Sequence, residues 1–561
     1  MIDVAEHGVL PDGQDCTRAL KIALAECRGS GAKRLVFPKG RYVFRPEFAD
    51  ELYLFTSNND EGLKRVAFML NGLEDLVIDG QGSEFIFHGF ISPFVVQNCA
   101  NIVFENFSVD FERTFHSEGI IVAAHEEGLD VRIPEAFPYK VHNGLLLFMM
   151  SEDTGGPLTS VSKGEVCGSG HLLEFDTAKR ETAFMARDYF FNGTSCYAAK
   201  DLGGRVVRLS VPGLVGKLGN TLVFGPDHRK HPGFVVTHSR EVSFERITLH
   251  HAGGMGILGQ LSHNLRVHRC RVTPSHGRML STTADATHFV NCTGFIELTE
   301  NLFENQKDDA TNIHGTYVQV TEILDANEIM VRLMHRQQHG FDFLHAGVEV
   351  EFVHGKSMIT LGASAVKKAV RINKEFTRVV FDRALPKELV VGDALASIHD
   401  YARVTISGNI VRNNRARGML LNCRGKTVVE NNYFHTPGAA ILFEGDSFFW
   451  FEQGGVRDCV IRKNVFENCL FGVWGKAVID VKAGILERKE SSRYNRNILI
   501  ENNTFRVFGE QSLLHAYCMD GLTWRDNRVE LTTAYPAPTK ASPRFDISHC
   551  DNVVIDGEPR V

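Results

Sequence analysis

Short bursts of alternating apolar and polar residues recur along most of the chain. The unit is apolar-x-apolar, two polar residues, often Asn, then another apolar position. It appears as LVIDGQG, IVFENFSV, VSFERITL, LRVHRCRV, IELTENLF, VTISGNIV, TVVENNYF, CVIRKNVF, ILIENNTF, LTWRDNRV and VVIDGEP. The second apolar position of each is Ile78, Phe104, Phe244, Val267, Leu298, Ile406, Val429, Ile461, Ile500, Trp524 and Ile555. Their successive spacings are 26, 140, 23, 31, 108, 23, 32, 39, 24 and 31, so all but two lie in the range of a solenoid coil. Period-two alternation of β-branched and aromatic residues makes the repeating element a strand, not a helix. Asn recurs at one register position (Asn301, Asn409, Asn432, Asn464, Asn503, Asn527), where stacked amides can bridge successive coils. The pattern predicts an all-β fold, a right-handed parallel β-helix, with handedness following the preference of parallel crossovers. Trp524 falls on the inward register and reads as core.

The two long spacings must hold insertions. Residues 113–236 and 316–400 each contain short alternating strands separated by Gly and Pro, which predicts two small inserted β-barrels. The expected organisation is a cap helix and first coils over 1–112, a barrel over 113–236, and coils over 237–315. A second barrel over 316–400 and the last coils over 401–561 complete it. Leu20, Ala23, Leu24 and Cys27 follow helical spacing, so 17–27 predicts an amphipathic helix covering the open end of the stack.

Lys plus Arg is 61 against 68 Asp plus Glu, a net charge of −7 over 561 residues, which argues against nucleic acid and anionic membranes as partners. No apolar run is long enough to span a bilayer. The start, MIDVAEHGVL, has no basic segment followed by an apolar one, so the chain reads either as cytoplasmic or as exported with its leader removed. The 12 cysteines form no CxxC pairs, and Cys270, Cys292, Cys423 and Cys459 sit among apolar strand residues, which suits buried thiols. A homodimer is left open.

The chemistry concentrates in 281–315, STTADATHFVNCTGFIELTENLFENQKDDATNIHG. Asp285 precedes Asp308 by 23 residues, about one coil, and Asp309 adjoins it. Carboxylates one coil apart on one face converge, at a strand spacing of about 4.8 Å. Like charges held together raise one another's pKa, a cost usually tied to acid–base chemistry or a cation. Counting from each coil's register residue places Asp285 directly over Asp308 if the extra length lies in the SHGRML loop. Paired carboxylates on such a surface suit glycoside hydrolysis, one acid donating to the leaving oxygen and one base activating water. No zinc-type ligand set accompanies them, so no metal and no cofactor are expected. Both insertions leave beside the acidic cluster and are expected to wall a pocket.

HHAGGMGILGQ (250–260), GRMLSTTADATHFVNC (277–292), ENQKDDATNIHGTY (304–317) and FEGDSFFWFEQGGVRDC (443–459) resemble glycoside hydrolase family 110, the inverting α-1,3-galactosidases. The resemblance covers essentially the whole chain. It implies a β-helix interrupted by two barrels, and removal of terminal α-1,3-linked galactose, as in blood-group B and linear α-Gal glycans, with inversion and without metal. It places catalysis on Asp285, Asp308 and Asp309. Similarity to the polygalacturonases further implies Asp308 as general acid, with Asp285 and Asp309 as the water-activating base. Asp285 lies in TAD where polygalacturonases have NTD, and no Arg-x-Lys pair for a uronate is present, which weakens a pectin-type substrate.

Candidate substrate-binding residues surround the trio. Trp450 can stack on a sugar face, or pack as a loop aromatic. Arg417, close to the register of Asp308, can hold hydroxyls or pair with an Asp. Glu444, Asp446 and Glu452 can hold galactose hydroxyls, although each alone also reads as a solvated turn acid. His288 and His314 can orient the carboxylates or be structural. His250–His251 with Gly253–Gly254 marks a tight backbone approach to an unidentified neighbour. Two other classes compete. A Ca²⁺-dependent polysaccharide lyase would use Lys307 or Arg417 as base, and a non-catalytic carbohydrate-binding β-helix would spread aromatics over several coils.

Overall fold

Ile78, Phe104, Phe244, Val267, Leu298 and Ile406 lie opposite one another on consecutive parallel strands, and Val429, Ile461, Ile500, Trp524 and Ile555 continue the column. Leu35 and Ile2 add two rungs above Ile78 that the repeat pattern does not reveal. The structure, a computed structural model, describes all residues except 150–165, 168–171, 190–196, 211–212, 227, 539–541 and 561.

Two sheets face each other across this column, one of 22 strands and one of 13, parallel throughout their coils and antiparallel only at a few short edge strands. In the larger sheet Glu74–Phe87, Ala100–Phe111 and Arg240–Leu249 each run as one strand, and the coils from His263 to Leu531 each contribute two strands separated by a sharp bend, as in Thr293–Thr299 and Leu302–Glu304. The bend residues Glu300, Gly408, Asn431, Lys463, Asn502 and Asp526 all have positive φ, between 55° and 70°. Each is followed by the recurring Asn. The side chain of Asn301 donates to Asn409 Oδ1 at 2.9 Å, and the chain of amides continues through Asn432, Asn464, Asn503 and Asn527 at 2.9–3.0 Å. Every one of these acceptor oxygens also takes a backbone N–H from the coil before. The turn would otherwise bury unpaired backbone groups, and the ladder satisfies them.

Helix Thr17–Ser30 buries Leu20, Ala23, Leu24 and Cys27 against the first coils, three residues longer than the apolar spacing suggests. Asp15 Oδ1 accepts the Thr17 N–H at 3.0 Å, and Gly31, at φ 64°, ends the helix. Ten cysteines, among them Cys270, Cys292, Cys423 and Cys459, are buried free thiols.

The first insertion leaves after strand Ala100–Phe111 and the coil resumes at Phe234–Thr237. Its described strands form an antiparallel sheet around their own apolar core, including Leu129, Val131, Phe148, Val207 and Phe224. Several residues of the expected first barrel, among them 150–165, lie outside the described residues. The second insertion leaves after Thr311–Thr316, returns at Ala402–Ser407, and closes as a six-stranded antiparallel barrel.

Candidate active site

In the smaller sheet Thr287 lies opposite Thr311, and Thr311 opposite Met419. Two residues before each stand Asp285, Asp309 and Arg417, forming one column at the strand ends. The Ala286 N–H donates to Asp309 O at 2.9 Å, and the Ala310 N–H to Gly418 O at 2.8 Å. Asp285 therefore stands over Asp309 and not over Asp308. The coil count misplaces it by one residue because Thr287 comes 20 residues after Val267, whereas Thr311 comes 13 after Leu298. The loop between absorbs seven extra residues, not eight.

Carboxylate oxygens of Asp285, Asp308 and Asp309 lie within 4.8 Å of one another, all three side chains buried. Their partners differ. Asp308 is clamped by two guanidiniums, Arg415 Nη1 donating to Oδ1 at 2.9 Å and Arg229 Nη2 to Oδ2 at 2.7 Å. Arg415 is held in turn by a two-point contact to Asp188, at 2.8 and 2.6 Å. Arg417 donates its backbone N–H to Asp309 Oδ1 at 3.0 Å and its Nη2 to Oδ2 at 2.8 Å. Among the described residues no guanidinium donates to Asp285; its Oδ2 meets His288 Nδ1 at 2.6 Å. The three arginines supply the positive charge that converging carboxylates demand.

Burial pushes the Asp285 carboxyl up to about 8, with the Asp308 charge adding to the effect. Burial also lifts Asp309 well above the usual carboxylate range, against the opposing pull of Arg417. Two guanidiniums on Asp308 favour its ionised form. That runs against the donor role which the polygalacturonase similarity gives it.

His288 Nε2 meets His314 Nε2 at 3.0 Å, and His314 Nδ1 meets the Gly315 carbonyl at 2.6 Å. Burial holds His288 down to about 4 and lowers His314 as well. Glu452 lies 3.5 Å from His314 Nε2 and takes amide donors from Asn58 at 2.6 Å and Asn312 at 3.2 Å. Burial alone would raise Glu452, but His314, His288 and these amides leave it below the usual range.

The trio floors a pocket of about 780 Å³ including its mouth. His288, Arg417, Glu444, Asp446, Trp450 and Glu452 also line it, while His314 sits behind His288. Asp446 does not offer a free carboxylate: its Oδ1 accepts the N–H groups of Phe448, Phe449 and Trp450 and so folds the aromatic loop. Glu444 pairs with Lys482 at 3.0 Å. The second barrel does not line the pocket but buttresses it. His335 packs on Trp450 at 4.6 Å, and Gln338 donates to the Trp450 carbonyl. The first insertion contributes Arg229 to the lining and Asp188 behind it. Lys307 is buried near Asp188 and Arg415 and is not among the lining residues.

Arg229, Arg415, Asn58 and Asn312 also line the pocket and escape the sequence reading. In the sequence Arg415 stands out only by its place in NNRARG, two residues before Arg417; its burial is seen in the structure alone. The Gly253–Gly254 approach now has its neighbours: a Cβ at Gly253 would come within 2.6 Å of the Phe115 ring, and one at Gly254 within 3.0 Å of the Arg229 carbonyl. Both are at the neck of the first insertion.

A family model described as "GLAA-B beta-barrel domain II" matches residues 328–395, and one described as "Right handed beta helix region" matches 391–533. Alpha-1,3-galactosidase A of Shewanella woodyi is 36% identical over 99% of this chain and 90% of its own length. The chain belongs to the α-1,3-galactosidase family. Alpha-1,3-galactosidase B of Akkermansia muciniphila is 33% identical over 99% of this chain and 69% of its own length. Alpha-1,3-galactosidase A of Bacteroides fragilis is 29% identical over 99% and 91%. As a member of this α-1,3-galactosidase family, the chain has a right-handed parallel β-helix with the closed six-stranded barrel inserted between coils.

Proposed function

We propose that this chain is an exo-acting, inverting glycosidase of glycoside hydrolase family 110 that removes terminal α-1,3-linked galactose from blood-group B and linear α-Gal glycans. The observation that carries the chemistry is the carboxylate trio with three unlike partner sets at the floor of one pocket. Family membership supports the choice of sugar and linkage. Unequal environments divide acid from base roles. Asp308 enters ionised between two guanidiniums and stabilises positive charge developing on the sugar ring. Asp309 enters protonated and donates to the leaving oxygen. Asp285 accepts the proton of the attacking water.

Carboxylate spacing alone favours a retaining mechanism, since the nearest oxygens lie within 4.8 Å where inverting enzymes commonly keep about 6.5–9.5 Å between acid and base. The partners favour inversion. Both Asp308 oxygens are held by arginine, both Asp309 oxygens by Arg417, and Asp285 shares a proton with His288 through Oδ2, which blunts each of them as a nucleophile towards carbon. Digestion of galactose-α-1,3-galactose and its fucosylated form, followed by proton NMR, tests the reading. β-Galactose is expected as the first-formed anomer. First appearance of α-galactose would replace inversion by retention, and absence of any galactose from both substrates would overturn the reading.

A further inference from the structure

The buried histidines behind Asp285 form a chain of short contacts whose protons are fixed from one end. A carbonyl only accepts, so the 2.6 Å contact between His314 Nδ1 and Gly315 O fixes a proton on His314 Nδ1. One proton must lie in the 3.0 Å gap between the two Nε2 atoms, and another in the 2.6 Å gap between His288 Nδ1 and Asp285 Oδ2. With both imidazoles neutral, only one arrangement satisfies every contact. His314 Nε2 accepts from His288 Nε2–H, and His288 Nδ1 accepts from a protonated Asp285 Oδ2. Asp285 then presents its other oxygen to the pocket as an acceptor, although the carboxyl as a whole is neutral.

We propose that Asp285, His288, His314 and Glu452 act as one extended acid–base group, taking up a proton at Asp285 Oδ1 and delivering the resulting charge to His314 beside Glu452. The proposal rests on the inverting-hydrolase reading and deepens it. As water attacks the anomeric carbon, its proton passes to Asp285 Oδ1. The Oδ2 proton passes to His288 Nδ1, and the His288 Nε2 proton to His314 Nε2. Water loses one proton, His314 gains one, and the departing oxygen takes its proton from Asp309. The imidazolium so formed lies 3.5 Å from the Glu452 carboxylate, which Asn58 and Asn312 hold in place. Glu452 lies on the short strand paired antiparallel to the end of Thr311–Thr316, across from Thr316, which fixes that distance. Without the relay, a neutral Asp285 would be a poor base. His288, His314 and Glu452 are positioning residues in this scheme, acting through Asp285.

The charged and titratable groups facing this unit are Asp308, Asp309, Arg229, Arg417 and Glu452 around Asp285; Glu452, Arg229 and Asp308 around His288; Glu452 and Asp285 around His314; and Asp446 and His335 around Glu452. Histidine ¹⁵N NMR of the whole chain, without substrate, should show His288 protonated at Nε2 and His314 at Nδ1 at neutral pH. A resting His288 protonated at Nδ1 overturns the relay, whether or not the chain releases galactose. Kinetics supply the second arm. On the natural disaccharide, kcat in mixed H₂O and D₂O should curve with deuterium fraction, because several protons move together. His314→Gln keeps an acceptor for His288 Nε2–H but ends the relay. It should lower kcat about 10²-fold, leave KM near its original value, straighten the deuterium plot and shift the pH profile. Glu452→Gln should shift the same profile in the same direction. A His314→Gln enzyme with an unchanged pH profile and unchanged curvature would refute the proposal. Failure to release galactose with the stated tautomers present would instead count against the hydrolase reading alone.

Discussion

Two sets of buried polar side chains run along the same solenoid, and they solve burial in opposite ways. In the asparagine ladder each amide both gives and takes, its neighbours are identical, and no charge is involved. In the carboxylate cluster, 4.8 Å is the reach of three acids that need three arginines, two histidines and a distant Asp188 to be held together. A neutral donor–acceptor repeat satisfies itself, whereas like charges must recruit unlike partners from elsewhere. The ladder is accordingly built from one turn motif. The cluster draws on the Asn58 loop, the neck of the first insertion, three coils and the aromatic loop.

The largest test exchanges the chemistry of the cluster for that of the ladder. Asp285→Asn, Asp308→Asn and Asp309→Asn should each lower kcat/KM on a natural disaccharide by about 10³-fold or more. A dinitrophenyl α-galactoside needs no protonation of its leaving group. On it Asp309→Asn should recover most of its rate, while Asp285→Asn and Asp308→Asn stay slow. Recovery by Asp308→Asn instead would restore the donor role suggested by the polygalacturonase similarity.

The reverse exchange affects stability. Asn432→Asp removes the donor that serves Asn464 Oδ1 and the Ile406 carbonyl and brings a charge into the ladder. Unfolding free energy, read by denaturant titration, should fall by about 3 kcal/mol at pH 7 with the loss easing at low pH, where the Asp is neutral. Equal stability would mean that the amide stack is dispensable.

A smaller effect separates the two regions by pH. Asp285 is ionised in the unfolded chain above about 3.8 but in the folded chain only above about 8. The unfolded state thus gains charge first, and the stability contributed by this site falls as pH rises between those values. Asp285→Asn removes that loss, so its melting temperature should exceed the wild type's at pH 8 by a few degrees and match it near pH 4. A variant less stable at both pH values would show that the His288 contact outweighs the burial of the carboxyl. The smallest expected change is at the rim: Trp450→Ala should raise KM about tenfold with little change in kcat, as loss of a sugar-stacking face would. An unaltered KM would make Trp450 a packing residue on His335.

The register column and the ladder were legible because period-two burial and a repeated turn leave a trace in every coil. Asp285, Asp308, Asp309, His288, Arg417, Trp450 and Glu452 were legible as a group because they fall near one another on neighbouring coils. Arg229, Asn58 and Asp188 were not, since each arrives from a segment whose position depends on how an insertion or a loop folds back. The one-residue slip between Asp308 and Asp309 has a plain cause as well. Coil length can be counted from sequence, but its division between two sheets is set by where the Met279–Thr283 loop turns. Asp446 shows the limit for single residues, because a carboxylate bound by three consecutive backbone N–H groups is indistinguishable in sequence from one that binds sugar.

The inserted barrel also bears on how the chain assembles. Asn301 and Asn409 are neighbours in the ladder although 108 residues separate them, whereas the next rung spans 23. Closing the longer loop costs only about 1.3 kcal/mol more by chain entropy, roughly two doublings of length, so the seam is affordable at equilibrium. Kinetically it is different. Zippering along the solenoid must stop at Thr316 and resume at Ala402, and it can do so only after the barrel has brought these ends together. The seam between the two half-solenoids is then the last part of the ladder to acquire protection in pulsed hydrogen exchange during refolding, and the active site, which straddles it through Asp309 and Arg417, is completed only at that moment.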